Sequence, residues 1–232
     1  MIDARTQLVG LIGWPVEHSL SPVMHNAAFA ELKMNWCYVP LPVPPHEVAT
    51  ALAGLAALGF RGANVTIPHK RSVLGVLSSV SPQARALGAA NTLVIEKHDR
   101  KAIRGENTDA AGFSAAIAAA GFSAAGSKAL IVGAGGAARA AIYALIEGKA
   151  ETVTVLSRRV AKAREVVDWF TVTRQSSTRL RAAGLNAESL IAHAADADLL
   201  VNATPVGMWP AVEGSIWPEG NAVPSHLTVF DL

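Results

Sequence analysis

Short apolar runs alternate along the chain with segments of helical length, and this pattern predicts a succession of strands and helices. Strands are predicted at 8–12, 36–39, 63–67, 101–105, 129–132, 152–156, 198–201 and 227–232, and helices at 23–32, 47–58 and 110–120. The stretch 164–190 is weakly patterned and is predicted as helix, loop and helix. Strands that alternate with helices favour an α/β fold with a mostly parallel sheet. Ligands of such sheets gather beyond the carboxyl ends of the strands, so the residues that follow each strand are the candidate site.

The stretch Lys128–Leu145 has the strongest functional pattern, a strand followed by a glycine-rich turn and a helix. The turn reads Gly133-Ala134-Gly135-Gly136-Ala137. In a dinucleotide site Gly133 permits the tight turn, Gly135 lets the backbone approach a pyrophosphate, and small Ala138 lets helix and strand pack closely. Free N–H groups at the start of the helix then face the phosphates. The alternative is a glycine-rich turn that binds nothing.

Composition and charge narrow the function classes. The chain has 232 residues, of which 51% are hydrophobic, and a net charge of +2, so one or two domains with buried cores are expected and a nucleic-acid partner is not. Its apolar runs are shorter than the roughly 20 residues of a membrane span, so no membrane association is expected. Cys37 is the only cysteine, which fits a cytoplasmic protein. We predict no metal site, a small-molecule substrate, and either a monomer or a homodimer.

Two hydroxyl side chains, Ser19 and Ser21, follow the first predicted strand and precede a helix. Ser21 is predicted as the helix N-cap, with Pro22 at the first helical position. Hydroxyl groups at a helix N-terminus directly after a strand also suit a small anion such as a carboxylate. The residues therefore leave two interpretations open, a capped helix alone or an anion site.

Further candidate residues stand at the ends of later strands. Thr66 lies at the end of the third strand, His69 and Lys70 follow it, Asn91 stands near the start of another, and Asp109 precedes a helix. His69 is interpreted as structural. Lys70 is either a solvated surface charge or a site residue, and Asp109 is either a plain N-cap or the partner of Lys70 in one crevice.

The strand over 152–156 is followed by Ser157-Arg158-Arg159. Folds that are specific for NAD place an acidic residue near this point to hold the ribose 2′-hydroxyl, and this chain has none there. Arginine suits the geometry of a phosphate group, and Lys162 adds a cation one turn later. The pattern therefore favours NADP over NAD, the alternative being a solvated charge cluster.

Several motifs occur in an order that resembles one family. They are His18-Ser-Leu-Ser-Pro22, Asn64-Val-Thr-Ile-Pro-His-Lys70, Ala90-Asn-Thr92, Asn107-Thr-Asp109, Gly133-Ala-Gly-Gly-Ala137 and Asn202-Ala-Thr-Pro-Val-Gly-Met208. Together they resemble the shikimate dehydrogenase family over nearly the whole chain. The resemblance implies two α/β domains with a cleft between them: an αβ substrate domain over 1–108 and a Rossmann-like NADP-binding domain over 109–232.

The resemblance also implies an activity, the reversible reduction of 3-dehydroshikimate to shikimate by NADPH on the path to chorismate and the aromatic amino acids. It implies that Ser19 and Ser21 bind the substrate carboxylate, that Asn64, Thr66, Asn91 and Asp109 hold the ring hydroxyls, and that Lys70, paired with Asp109, is catalytic. The implied cofactor site consists of the turn residues Gly133–Ala137 with Ser157, Arg158, Arg159, Thr204 and Met208.

Elementary chemistry gives Lys70 a role in such a reaction. Hydride that arrives at a ketone carbon creates an alkoxide, which a neighbouring ammonium group can stabilise and protonate. Lys70 is thus either the acid/base or an electrostatic clamp, and Asp109 would orient it and favour its charged form.

The chain departs from the family pattern in two ways. Ser157-Arg158-Arg159 replaces the usual Asn-Arg-Thr, and the family's C-terminal helices, one of which brings a glutamine to the substrate, do not occur in the 232 residues. We therefore expect this sequence to be part of a longer chain. Ser21, where a bulkier threonine is the alternative, favours shikimate over quinate. A quinate or quinate/shikimate dehydrogenase and a catalytically silent dinucleotide-binding homologue remain the alternatives.

Overall fold

The chain forms two compact units, Met1–Thr108 and Asp109–Leu232. The structure is a computed structural model that describes residues 2–96, 98–99, 102–209 and 211–232. Strands and helices occur in both units, so the predicted α/β class is confirmed. In the described part of the chain, no helix has the length and apolar composition that a membrane crossing needs.

The first unit is built on a six-stranded mixed sheet. Its elements are β1 (Gln7–Gly13), α1 (Ser21–Glu31), β2 (Trp36–Pro42), α2 (Val48–Leu58), β3 (Gly62–Val65), β4 (Ser79–Val80), α3 (Pro82–Leu87), β5 (Thr92–Ile95) and β6 (Ile103–Glu106), with 3-10 turns at Pro45–Glu47 and Ser72–Val76. The strand order is β2-β1-β3-β5-β6-β4. Strand β5 is antiparallel to both neighbours, whereas the other pairs are parallel.

The mostly parallel sheet that the sequence predicts is therefore only partly present in this unit. The connection from β5 to β6 is too short for the crossover that parallel neighbours require, and a short connection joins antiparallel strands. The antiparallel pairing places Thr92 directly opposite Asn64.

The two faces of the first sheet are covered differently. The main apolar core contains Ile12, Ala63 and Val65 of the sheet together with buried residues of α2, such as Leu52. Successive residues of a strand point to opposite faces, so Leu11 and Asn64 face away from that core. On that other face Leu11 and Tyr38 pack with Val16 and with Phe29 of α1.

The predicted N-cap of α1 is wrong by one residue. Ser21 is the first helical residue, and Leu20 precedes it with αR dihedral angles and no side-chain cap. The hydroxyl of Ser19 instead accepts a hydrogen bond from the Ser21 N–H at 3.2 Å. Because Leu20 already has αR geometry, the capping hydroxyl comes from further upstream.

The second unit contains a five-stranded sheet whose four pairings are all parallel. Its elements are α4 (Asp109–Ala119), β7 (Lys128–Val132), α5 (Gly136–Glu147), β8 (Thr152–Ser157), α6 (Val160–Thr173), β9 (Arg179–Gly184), α7 (Ala187–Ala194), β10 (Leu199–Asn202) and β11 (Thr228–Asp231). The strand order is β11-β10-β7-β8-β9, so the order reverses between β7 and β10. Helix α4 belongs to this unit, and its Phe113 ring meets Phe230 of β11 edge-on at 5.2 Å.

Strand β9 corrects the prediction of helix, loop and helix over 164–190. Helices α6 and α7 are present at its two ends as predicted, and only the loop is wrong, because Arg179–Gly184 forms an edge strand beside β8. Its residues are exposed or half-buried, with Arg179 and Arg181 among the exposed ones. An edge strand without fully buried residues lacks the continuous apolar run by which a buried parallel strand is recognised in a sequence.

Candidate active site

The glycine-rich turn lies at the point where the strand order of the second sheet reverses. Gly133 has a φ of +120°, and a Cβ atom there would lie 2.5 Å from the carbonyl oxygen of Ala203. The N–H of Ala203 donates to the carbonyl of Val132 at 2.8 Å. The turn after β7 and the segment after β10 are thus in direct contact, at the place where an open parallel sheet binds its ligands.

The reason for a glycine at position 135 is different. Its φ of −88° suits any residue, and a Cβ atom there would meet no atom of the protein within 4 Å. The protein's own packing therefore does not require glycine at this position, whereas the close approach of a pyrophosphate does. Helix α5 begins at Gly136 and directs its first N–H groups toward the same space. These residues fit a dinucleotide cofactor.

Asn202 organises the segment that follows β10. Its Oδ1 atom accepts hydrogen bonds from the N–H and the hydroxyl of Thr204, at 3.1 and 2.7 Å. Its Nδ2 atom donates to the carbonyl of Val206 and to Asp231, at 3.1 and 2.8 Å. The sequence motif that contains Asn202 does not indicate this role, for which the only sequence signal is a polar residue at the end of a buried strand.

A cavity of about 930 Å³ opens beside this segment within the second unit. It is lined by residues that follow β8, β9 and β10 and by the loop before β11: Arg158, Leu185, Asn186, Ala187, Leu190, Thr204, Pro205, Val206, Glu213, Ser215, Ile216, Trp217, Pro218, Glu219, Gly220 and Asn221. Two residues of the predicted cofactor site, Arg158 and Thr204, line it. Its charged side chains are the Arg158 guanidinium and the carboxylates of Glu213 and Glu219.

The other predicted cofactor residues lie outside this lining. Ser157 ends β8, and its hydroxyl accepts a hydrogen bond from the N–H of Arg159 at 3.3 Å. Arg159 and Met208 are exposed. Lys162 forms an ion pair with Glu165 at 2.8 Å, so its ammonium group is already held by a carboxylate of its own helix.

In the first unit, the segment Thr66–Lys70 is held at the carboxyl end of β3. The N–H of Thr66 donates to the carbonyl of Ile12 on β1 at 2.8 Å, and the N–H of His69 donates to the carbonyl of Thr66 at 2.9 Å. His69 is 1% exposed, and its Nε2 lies 2.7 Å from the carbonyl of Val43. The structure therefore agrees with the structural role inferred for His69.

Lys70 follows His69 and is half-buried. Its carbonyl accepts a hydrogen bond from the N–H of Ala90 at 2.7 Å, and Asn91 is the next residue. The structure thus brings the Thr66–Lys70 segment and the Ala90–Asn91 segment together at one end of the first sheet.

Asn64 and Asn91 belong to one hydrogen-bonded cluster on that sheet. The Oδ1 atom of Asn91 accepts from the Thr108 N–H, and its Nδ2 atom donates to the Thr108 hydroxyl, both at 2.9 Å. Asn64 Nδ2 donates to the Thr92 hydroxyl at 3.3 Å, and Asn64 Oδ1 accepts from the Tyr38 hydroxyl at 2.9 Å. Burial raises the pKa of Tyr38 to about 12, so this phenol is a neutral donor at ordinary pH.

Ser19 and Ser21 are half-buried at the start of α1. The carbonyl of Ser21 is 2.9 Å from Nδ1 of His25, whose ring stacks on Tyr38 with centroids 4.3 Å apart. Asp109 is the first residue of α4 in the second unit, where a carboxylate is favoured by the helix dipole. The pairing of Asp109 with Lys70 stays a prediction.

A parallel sheet with a glycine turn at its reversal point and open space at Gly135 defines a Rossmann-type dinucleotide-binding unit, here in one chain with a second α/β unit. Two family models match the chain, the "Shikimate dehydrogenase substrate binding domain" at residues 11–93 and "Shikimate / quinate 5-dehydrogenase" at residues 116–208. The chain belongs to the shikimate dehydrogenase family.

Individual relatives agree with this membership. The shikimate dehydrogenase (NADP(+)) of Geobacter metallireducens is 45% identical over 208 residues, which cover 89% of this chain and 71% of that protein. A crystal structure of a shikimate dehydrogenase in complex with NADP+ has a TM-score of 0.85 and 33% identity, and the match covers 100% of this chain and 78% of that one. The structure of Listeria monocytogenes shikimate 5-dehydrogenase in complex with shikimate and NAD has a TM-score of 0.84 and 32% identity, and the match covers 99% of this chain and 79% of that one.

Proposed function

We propose that this chain is an NADP-dependent shikimate dehydrogenase, which reversibly reduces 3-dehydroshikimate to shikimate on the path to chorismate and the aromatic amino acids. The observation that carries the proposal is the 45% identity to the shikimate dehydrogenase (NADP(+)) of Geobacter metallireducens across 89% of the chain. A match of that extent includes residues of both units. We assign substrate binding to the first unit and NADP binding to the second.

The proposed substrate site uses the polar end of the first sheet. The hydroxyls of Ser19 and Ser21 bind the substrate carboxylate, and Asn64, Thr66 and Asn91 hold its ring hydroxyls. This assignment is supported by the half-buried state of Ser19, Ser21, Asn64 and Thr66, since such side chains are oriented by their neighbours and still accessible to a small molecule.

Lys70 is proposed as the residue that acts on the reacting oxygen. NADPH, when bound, supplies a hydride to the ketone carbon. As negative charge develops on the oxygen, the ammonium group of Lys70 stabilises it and transfers a proton to it, which leaves a hydroxyl on the substrate and a neutral amine on the lysine. Asp109 is proposed to orient Lys70 and to favour its charged form, and it also holds a ring hydroxyl.

The proposed cofactor site combines Gly133–Ala137 with residues that follow β8 and β10: Ser157, Arg158, Arg159, Thr204 and Met208. Arg158 is proposed to read the 2′-phosphate of NADP, because its guanidinium group lines the cavity beside Thr204 and suits phosphate geometry.

We expect Arg158→Ala to weaken the binding of NADPH much more than the binding of NADH, because only NADPH has the 2′-phosphate. The loss for NADPH should be about 10-fold or more, the scale of a charge-assisted hydrogen bond. The measurement is the dissociation constant of each reduced cofactor by fluorescence titration. Arg164→Ala, which removes an exposed arginine of α6, is the matched control. Equal losses for NADPH and NADH would show that Arg158 does not read the phosphate.

Quinate is the second candidate substrate, because the family model that matches residues 116–208 is named for both shikimate and quinate. We expect shikimate to be preferred. The test is a steady-state comparison of both acids with NADP+ and with NAD+, followed at the nicotinamide absorbance band. Turnover of quinate equal to or faster than that of shikimate would overturn the preference, and turnover of neither would overturn the proposed function.

The cellular setting and assembly are part of the proposal. We infer a cytoplasmic location from the single cysteine, Cys37, which has no second cysteine in this sequence with which to form a disulfide.

We infer a monomer or a homodimer, and sedimentation of the purified chain would exclude both if it gave a larger mass.

A further inference from the structure

A continuous row of side-chain hydrogen bonds crosses the sheet of the first unit. Tyr38 Oη donates to Asn64 Oδ1 at 2.9 Å, and Asn64 Nδ2 donates to Thr92 Oγ1 at 3.3 Å. Thr92 Oγ1 donates to Asn91 Oδ1 at 2.9 Å, and the N–H of Thr108 donates to that same oxygen at 2.9 Å. These five residues, called the polar relay below, join β2, β3, β5 and the segment after β6.

The direction of every bond in the polar relay follows from its last member. The backbone N–H of Thr108 can only donate, so the atom of Asn91 that faces it must be the carbonyl oxygen. The Thr92 hydroxyl then donates to that oxygen and accepts from Asn64 Nδ2. Asn64 Oδ1 is consequently the atom that faces Tyr38, and the phenol must donate to it. The hydrogen bonds of the polar relay thus fix the orientation of the Asn64 side-chain amide, with Oδ1 toward Tyr38 and Nδ2 toward Thr92.

The relay is held rigidly at its Tyr38 end. Asn26 of α1 bonds both backbone groups of Tyr38, at 2.8 and 2.9 Å. The Tyr38 ring is 3% exposed and stacks on His25 with an interplanar angle of 13°. Such a fixed phenol gives the Asn64 oxygen a permanent partner.

Asn64 has donor capacity that a ligand can use. Its Nδ2 bonds to Thr92 Oγ1 and to the Asn91 carbonyl measure 3.3 and 3.4 Å, longer than the usual 2.9–3.0 Å of an N–H···O bond. The side chain is half-buried rather than sealed. A ligand hydroxyl can therefore take an N–H of this group while the oxygen stays bound to Tyr38.

We propose that Tyr38 and Thr92 are positioning residues that hold the Asn64 amide with its N–H group toward a ring hydroxyl of the substrate. The inference rests on the proposed function, which makes Asn64 a substrate-binding residue. Without Tyr38 the amide loses the partner of its oxygen and rotates, so that the substrate hydroxyl meets a mixture of donor and acceptor. Without the Thr92 hydroxyl the amide loses its opposite anchor.

The test is isothermal titration of shikimate into the full chain and into matched variants. Tyr38→Phe and Thr92→Val each remove one hydroxyl, while Thr92→Ser keeps it. Tyr143→Phe removes the only other phenol hydroxyl of the chain from the second unit and is the control. Thermal melting and the KM for NADP+ are measured for each variant.

We expect Tyr38→Phe and Thr92→Val each to raise the Kd for shikimate by about 3- to 10-fold, the worth of one neutral hydrogen bond. Thr92→Ser and Tyr143→Phe should stay within about 2-fold of wild type, and the KM for NADP+ should not change. The double variant Tyr38→Phe/Thr92→Val should lose less than the product of the single losses, because both residues act on one amide.

Three results would overturn the proposed role of the polar relay. The first is a wild-type Kd for shikimate in Tyr38→Phe, and the second is a double variant whose loss of shikimate affinity equals the product of the single losses. The third is a lowered melting temperature with equal losses of affinity for shikimate and NADP+. The last result would show a merely structural role. A wild-type chain that binds shikimate without turning it over would contradict the proposed reaction, while the same titrations still decide the relay. A wild-type chain that does not bind shikimate would overturn both.

Discussion

Tyr38 shows what a single residue contributes beyond its place in the apolar cluster with Leu11 and Val16. Its ring is buried, and its hydroxyl donates to Asn64. The sequence motifs singled out Asn64 and Asn91 by residue type and order. They could not indicate Tyr38, because its link to Asn64 depends on strand β1 lying between β2 and β3. Contacts that depend on strand order are not visible in local sequence patterns.

The raised pKa of Tyr38 predicts an alkaline loss of stability. The phenol titrates at about 12 in the folded chain, against an ordinary value of 10.0. Between these values the folded state binds more protons than the unfolded state, so the free energy of unfolding falls as pH rises and is unaffected by this group below about pH 10. When urea unfolding is measured at about pH 9 and about pH 11, the free energy of unfolding should fall less between the two for Tyr38→Phe than for the control Tyr143→Phe. Equal falls would exclude this role for Tyr38.

Asp109 is the residue whose proposed role depends most on family resemblance. We expect Asp109→Asn to lower kcat for shikimate oxidation by about 100-fold, the low end of what acid–base catalysis contributes, and to leave the KM for NADP+ nearly unchanged. The measurement is steady-state kinetics at saturating cofactor. Asp196→Asn, which breaks an exposed ion pair with Lys128, is the matched control. A variant as active as this control would remove Asp109 from the mechanism.

At the scale of elements, the strong sequence patterns belong to the buried parallel strands and to the glycine turn. The predicted strand at 129–132 lies within β7, and the predicted turn runs from the end of β7 into the first residues of α5. The elements that sequence reasoning missed are short or exposed: β4 has two residues, α3 has six, and β9 is an edge strand. Such elements bury too little apolar surface to leave a periodic pattern.

The two glycines of the turn predict opposite phenotypes. Gly133→Ala should lower the free energy of unfolding by about 1–3 kcal/mol, the usual cost of a strained backbone, because the new Cβ atom would lie 2.5 Å from the Ala203 carbonyl oxygen at a φ of +120°. Gly135→Ala should leave stability unchanged, since its Cβ atom meets no protein atom within 4 Å, and should raise the KM for NADP+ by about 10-fold or more.

The two predictions are tested by thermal melting and by the KM for NADP+, both measured for Gly133→Ala and Gly135→Ala. A destabilised Gly135→Ala would show that glycine at this position serves the fold. Unchanged NADP+ kinetics in a stable Gly135→Ala would show that the cofactor does not approach the turn there.

At the scale of the whole molecule, the two units match two separate models of one family. The chain spans 71% of the length of the Geobacter metallireducens relative and 76% of that of a Moorella thermoacetica relative. The α/β class, the family and the cofactor type could be predicted from the sequence, because ordered motifs and a strand–turn–helix pattern are local. The role of each motif residue could not, because it depends on where folding brings that residue.

The decisive measurement is the change in nicotinamide absorbance when shikimate is added to the full chain with NADP+, made in parallel on wild type and Lys70→Ala. We expect the absorbance to rise for wild type and the rate to fall by about 100- to 10,000-fold in Lys70→Ala, while fluorescence titration shows that both proteins bind NADPH. Lys128→Ala, which removes an exposed ammonium group paired with Asp196, should behave as wild type. A flat wild-type trace, or equal rates in wild type and Lys70→Ala, would overturn the assignment of this chain as a shikimate dehydrogenase that acts through Lys70.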